Sequence, residues 1–131
     1  MAYTILFAED ENAHHKLAKL GAMNVAKKTD CEINILHALN GGEGIKAYEL
    51  AKAERRTIDL VITDFHMPIK NGFDFVAAIR AYNKDVPIVM LSSMPPTLPK
   101  ELNVRMEDFK AGELAKFEGL ILEYVRMKYQ Q

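Results

Sequence analysis

Leu60-Val61-Ile62-Thr63-Asp64-Phe65-His66-Met67-Pro68 places a short apolar run directly ahead of a carboxylate and then halts regular structure at Met-Pro. A run of this length bounded by such a break predicts a buried strand. In open α/β sheets, reactive groups gather outside the carboxyl ends of the strands. Asp64 therefore stands at a reactive edge rather than at a solubilising position. Two more strands end in the same style. Thr4-Ile5-Leu6-Phe7-Ala8 runs into Glu9-Asp10-Glu11, and Pro87-Ile88-Val89-Met90-Leu91 runs into Ser92-Ser93.

Working outward, strand-like and helix-like stretches alternate. Residues 13–28 predict a helix with Leu17, Leu20 and Gly21 on one face, and residues 32–38 a second strand. Asn40-Gly41-Gly42 reads as a turn. Residues 45–55 predict a second helix with Ala47, Leu50 and Ala51 inward. Behind Asn71-Gly72, Phe75, Ala78, Ile79 and Tyr82 hold the i, i+3, i+4, i+7 spacing of a third. After Ser93 the alternation fails, because Pro95, Pro96 and Pro99 oppose a regular helix. A turn at residues 100–102, a poor fifth strand at 104–109 and a strong final helix at 113–129 complete the chain. The apolar face of that helix is Leu114, Phe117, Leu120, Ile121, Tyr124 and Val125. The alternation implies a parallel sheet covered on both faces. Right-handed crossovers make it doubly wound and five-stranded, and we take the order 2-1-3-4-5 among its variants.

In that order strands 1 and 3 are neighbours, and Glu9, Asp10 and Asp64 share one pocket. Three clustered carboxylates repel one another. A hard divalent cation with open water positions, Mg²⁺, relieves that repulsion and lowers the cost of bringing in a phosphate. Asp64 is then a candidate nucleophile toward phosphorus. A Ser92 hydroxyl and a lysine would stabilise phosphoryl oxygens.

The chain has 131 residues, 49% hydrophobic content and a net charge of −1. These values fit one globular domain, residues 1–131, and do not advertise nucleic acid or a membrane surface as partner. No apolar stretch reaches the roughly 18 residues of a membrane span, and no secretory signal is visible. The lone Cys31 borders an apolar strand and reads as a buried thiol in a reducing, cytoplasmic setting. His14 and His15 read as solvated helix residues and His37 as strand filler. The run Lys52-Ala53-Glu54-Arg55-Arg56 reads as a solvated helix end.

Taken together, residues 5–11, the Asp64-Phe65-His66-Met67-Pro68 stretch with Asn71-Gly72, and residues 87–93 resemble the receiver (CheY-like) domain of bacterial two-component response regulators. The resemblance covers nearly the whole chain and implies a flavodoxin-like fold. It also implies that Asp64 is the phosphoacceptor and that Asp10 is a direct Mg²⁺ ligand, with Glu9 acting mostly through water. The backbone carbonyl of His66 would complete the protein ligands, and Ser92 would be the switch hydroxyl. His66 and Met94 fall where the family tunes the acyl phosphate's lifetime. The implied partners are a sensor histidine kinase or histidine phosphotransfer protein and an unknown downstream protein. Such a domain is an acceptor, not an enzyme, and does not bind nucleic acid.

Three departures from the family pattern matter. The family's lysine is normally followed by proline. Here Lys110 is followed by Ala111, with Lys100 and Lys116 as alternatives. Phe109 is near the family's aromatic switch position without a secure register. The fourth helix is degraded to the proline segment. Two rival readings follow: a phosphorylation-independent pseudo-receiver, and a metal-dependent phosphohydrolase. The latter usually carries a second acid two residues past the nucleophile, where His66 stands. The chain ends on its final helix, so the signal would leave through protein contacts unless a longer protein surrounds it.

Overall fold

Every residue of β3 (Leu60–Asp64) is buried, as its uninterrupted apolar run demands of a central parallel strand. Our computed structural model describes residues 1–129; Gln130 and Gln131 of the expected 1–131 span lie outside the described residues. Around β3 the chain runs β1 (Ala2–Ala8), α1 (Asn12–Thr29), β2 (Glu32–Ala38), α2 (Gly41–Ala53), β3, α3 (Gly72–Tyr82), β4 (Ile88–Leu91), β5 (Arg105–Glu107) and α4 (Leu114–Tyr129). The strands form one parallel sheet in the order β2-β1-β3-β4-β5, the expected doubly wound arrangement. Between β4 and β5 stands only a three-residue 3-10 turn, Lys100–Leu102, in keeping with the degraded fourth helix.

Alternate residues of the central strands feed two cores. Ile5, Phe7, Leu60, Ile62, Val89 and Leu91 pack with Phe117, Ile121 and Val125 of α4 and Ala18 and Val25 of α1. Leu6, Val61, Ile88 and Met90 pack on the other face with Tyr48 and Ala51 of α2 and Phe75, Val76 and Ile79 of α3. Each such large side chain contributes about 1.5–3 kcal/mol on burial. Among the described residues no helix is long and apolar enough to cross a membrane.

The helix phases correct the sequence reading in places. Helix α2 begins at Gly41, four residues before the expected start. Asn40 is its N-cap: Glu43 N donates to Asn40 Oδ1 at 2.8 Å, and Leu39 N donates to Glu43 Oε1 at 2.9 Å. This is close to a capping box, not the free turn expected there. The register that follows points Gly44, Tyr48 and Ala51 inward and leaves Leu50 58% exposed. Tyr82 and Leu20 are also exposed, while Val76 and Arg80 on α3 and the small residues Ala18, Gly21 and Ala22 on α1 take the inner faces. Small side chains suit the close approach of α1 to α4. β5 is shorter than expected, and Phe109 lies past its end, buried in the core that α4 covers. Cys31 is a buried free thiol; burial holds it above the usual thiol range, and the cationic N-terminus pulls the other way.

Arg80 is the feature the sequence hid. It closes α3 as a buried guanidinium bonded to four backbone carbonyls: Leu102 at 2.6 Å, Val86 at 2.7 Å, Asn103 at 3.0 Å and Asn83 at 3.2 Å. Burial, opposed by Asp85, holds it below the ordinary arginine range. It thereby staples the segment that stands in for a fourth helix. Truncation would strand these carbonyls, so Arg80→Ala should destabilise the fold by about 3 kcal/mol in urea unfolding. Arg80→Lys, with one compact ammonium in place of a planar fork, should recover less than half of that.

Candidate functional site

The pairing register builds the site. Ala8 lies opposite Thr63, and Asp64 opposite Leu91. The residues that leave β1, β3 and β4 at their carboxyl ends are therefore Glu9-Asp10, Asp64 and Ser92. Carboxylate oxygens of Glu9, Asp10 and Asp64 lie within 4.8 Å of one another. Glu9 is 3% exposed and Asp64 5% exposed, while Asp10 faces solvent. Phe65 N donates to Asp64 Oδ1 at 2.7 Å, and Thr63 Oγ1 donates to the Asp64 carbonyl at 2.7 Å. Both bonds fix the acid at the strand end.

Burial raises the Glu9 carboxyl to about 7, with the Asp64 charge next in effect and the His14 hydrogen bond opposing it. A buried acid beside another acid holds its proton until something positive arrives. Three oxygen ligands in this geometry, one of them open to water, fit a hard divalent cation such as Mg²⁺.

Of the three lysines considered, Lys110 reaches Asp64: its Nζ stands 3.5 Å from both carboxylate oxygens. Lys116 pairs instead with Glu113 at 3.1 Å and overlies the Phe109 ring, and Lys100 is exposed on the 3-10 turn. Ser92 is buried, and its Oγ accepts from Met94 N at 3.2 Å, turned toward its own loop. Met94 is exposed. His66 lies in the loop after Asp64 with its side chain exposed, edge-on to Phe65.

The histidines depart from the sequence reading. His14 Nδ1 lies 2.6 Å from Glu9 Oε1, and its Nε2 lies 3.2 Å from Glu11 Oε2. His15 is buried, with Nε2 2.6 Å from the Glu9 carbonyl and Nδ1 2.6 Å from His37 Nδ1. A carbonyl only accepts, so His15 Nε2 carries a proton. One Nδ1 of the pair must then be bare, and the two rings hold at most one charge between them. Burial, then the neighbouring His15, keeps His37 below its ordinary range. The Phe7↔His37 register across β1 and β2 brings these rings together.

A doubly wound sheet with acids, a lysine and a hydroxyl at its carboxyl edge defines a class of phosphate-handling α/β domains. Residues 5–111 match the response regulator receiver domain, and the chain belongs to that family. It is 34% identical over 71 residues to the chemotaxis protein CheY1 of Helicobacter pylori, covering 53% of this chain and 56% of that protein. It is 33% identical over 70 residues to the uncharacterized transcriptional regulatory protein YcbL of Bacillus subtilis, covering 53% and 28%. The matched part thus spans about a quarter to a half of these relatives' lengths. Among solved structures, the phosphorylated cyanobacterial phytochrome response regulator RcpA superposes with a TM-score of 0.71 at 21% identity, covering 97% of this chain and 94% of that one. This last likeness speaks for the fold. Receiver domains act as phosphoacceptors in two-component signalling, bind a divalent cation at an acidic pocket, and interact with histidine kinases and phosphotransfer partners.

Proposed function

We propose that residues 1–131 form a single receiver domain in which Asp64 takes a phosphoryl group from the phosphohistidine of a sensor kinase or histidine phosphotransfer protein. One observation carries the reading: a buried Asp64 faces Lys110 Nζ equally from both oxygens while Glu9 and Asp10 close in beside it. An Asp64 oxygen attacks phosphorus in line, the P–N bond of the donor breaks, and its electron pair returns to the donor imidazole. Lys110 meets the phosphoryl charge. Glu9, Asp10, Asp64 and the His66 carbonyl would hold Mg²⁺, which supplies charge neutralisation for the incoming phosphoryl oxygens.

Ser92 is the switch. Its Oγ is engaged by Met94 N, so turning toward a phosphoryl oxygen releases that amide. The 93–99 loop then rearranges, and a protein partner that contacts this loop differently in the two states reads the signal. His66 and Met94, both exposed beside the site, tune the lifetime of the acyl phosphate. The domain is an acceptor without turnover of its own on small substrates, and it works in the cytoplasm, where the lone Cys31 stays reduced.

Intact mass after incubation with acetyl phosphate tests the reading. One phosphate adduct should form with Mg²⁺ and vanish with a chelator. Absence of an adduct in a protein that calorimetry shows to bind Mg²⁺ would overturn phosphoacceptance from small donors. Absence of both would leave a phosphorylation-independent interaction module.

A further inference from the structure

We propose that His14 is a positioning residue that sets both halves of this acidic site, holding the Glu9 carboxylate with one ring nitrogen and supporting the Lys110 loop with its opposite edge. The inference rests on the phosphoacceptor reading for its consequence but not for its geometry.

The ring projects from the first turn of α1 and is mostly buried. Its Nδ1 contact with Glu9 Oε1, 2.6 Å, is a short hydrogen bond. Glu9 is buried and has no solvent to orient it, so a fixed donor decides where its oxygens point. Nε2 faces Glu11 on the exposed side. The same edge of the ring carries Gly112: a Cβ there would lie 3.2 Å from His14 Nε2 and 3.3 Å from Cδ2. A Cβ on this residue would force the imidazole to give by a few tenths of an ångström, and Lys110 lies two residues upstream. The loop is held at its other end by Glu113, whose Oε2 accepts from Lys110 N at 3.1 Å. One ring thus lies between the acid that leaves β1 and the lysine that follows β5.

Outer partners that orient a ligand commonly contribute ten-fold or more to metal affinity. Three variants of the full chain separate the two roles, read by calorimetric Mg²⁺ titration and by the rate of phosphate uptake from acetyl phosphate at saturating Mg²⁺. His14→Leu removes the donor, and its Mg²⁺ affinity should fall about ten-fold. His14→Asn keeps an amide N–H for Glu9 and should restore affinity to within about two-fold of wild type, yet uptake should stay slow because the ring under Gly112 is gone. Gly112→Ala should slow uptake with Mg²⁺ affinity unchanged. A merely structural histidine would not produce this split. Wild-type affinity in His14→Leu, or failure of His14→Asn to recover it, overturns the Glu9 role; wild-type uptake in both His14→Asn and Gly112→Ala overturns the loop role. If the wild type takes up no phosphate, the phosphoacceptor reading falls, while the Mg²⁺ contrast between the two His14 variants still decides the Glu9 role.

Discussion

Asp64→Asn should abolish the phosphate adduct completely and at the same time raise the melting temperature above about pH 7. The amide is nearly isosteric, so the Phe65 N–H can still donate to the side-chain oxygen as it does at 2.7 Å in the wild type. It carries no charge and is too weak a nucleophile to attack phosphorus. Stability moves the other way because the acids are crowded. Asp64 is buried against Glu9 and Asp10, and a half-exposed Lys110 at 3.5 Å offsets part of that repulsion. Removing one charge of the three should gain about 1 kcal/mol.

The pH dependence carries a signature of the same cause. Burial, then Asp64, lifts Glu9 from 4.5 to about 7. The folded state therefore binds this proton more tightly than the unfolded state. The stability it contributes is full below the unfolded value of 4.5 and is lost as pH rises through about 7. Without divalent cation, wild-type melting should fall from about pH 5 to about pH 8, and Asp64→Asn should flatten that slope. Thermal melts across this range, paired with intact mass, check both parts. A phosphate adduct on the variant would sink the assignment of Asp64. A slope as steep as wild type would show that Asp64 is not what loads Glu9.

How much of this was legible in sequence depends on the kind of signal each part leaves. Buried parallel strands leave continuous apolar runs, so β3, β4 and β1 are visible, and the acids that end β1 and β3 and the hydroxyl that ends β4 follow directly. The order β2-β1-β3-β4-β5 follows from handedness and switch-point rules that leave few alternatives. Helix α2 was misphased because Asn40-Gly41-Gly42 serves equally well as a turn or as a cap with two side-chain-free residues behind it, and glycines add nothing to an apolar period. The deciding clue was local: Glu43, three residues after Asn40, is the capping-box spacing. Leu50 therefore points to solvent rather than inward.

The side chains that read poorly are those whose partners are far away in sequence or off the helical period. His14 meets Glu9 five residues back across a strand-to-helix joint, a spacing no helix template covers. His15 meets His37 only through the register of β1 on β2. Arg80 reads as an ordinary cation in a last helical turn, yet two of its carbonyl partners lie 22 and 23 residues later, at the end of the 3-10 turn and just past it. That is also why the chain can do without a fourth helix: the guanidinium supplies donors that hold the replacement segment by its backbone. Lys110 ranks ahead of Lys100 and Lys116 in sequence, and its place in the loop after β5 is what brings its amine to 3.5 Å from both Asp64 oxygens.

Gly72→Ala should be the most damaging single-methyl change at the site, lowering unfolding free energy by about 3 kcal/mol and removing phosphate uptake in whatever fraction folds. Gly72 opens α3 behind the Asn71 cap, where Asp74 N donates to Asn71 Oδ1 at 3.0 Å. Its own N–H donates to the Phe65 carbonyl at 2.8 Å, which pulls the helix start onto the residue that follows Asp64. A Cβ here would lie 2.5 Å from the Asp64 carbonyl oxygen, 2.8 Å from Phe65 Cα and 2.9 Å from Met90 Cε. The methionine tip can swing away, but the two backbone atoms belong to the strand end that aims the acid. Relief must come from moving α3 or the Asp64 peptide, and a misplacement of even an ångström there costs the in-line approach. Gly119 on α4 provides the opposite case, since a Cβ there meets nothing within 4 Å. The same substitution at Gly119 should stabilise the fold by up to about 1 kcal/mol through helix propensity alone. Urea midpoints for both variants, read beside phosphate uptake, separate the effect of alanine from the effect of place. If Gly72→Ala unfolds at the wild-type midpoint and takes up phosphate normally, the close approach of α3 to the strand end is not what holds Asp64 in position.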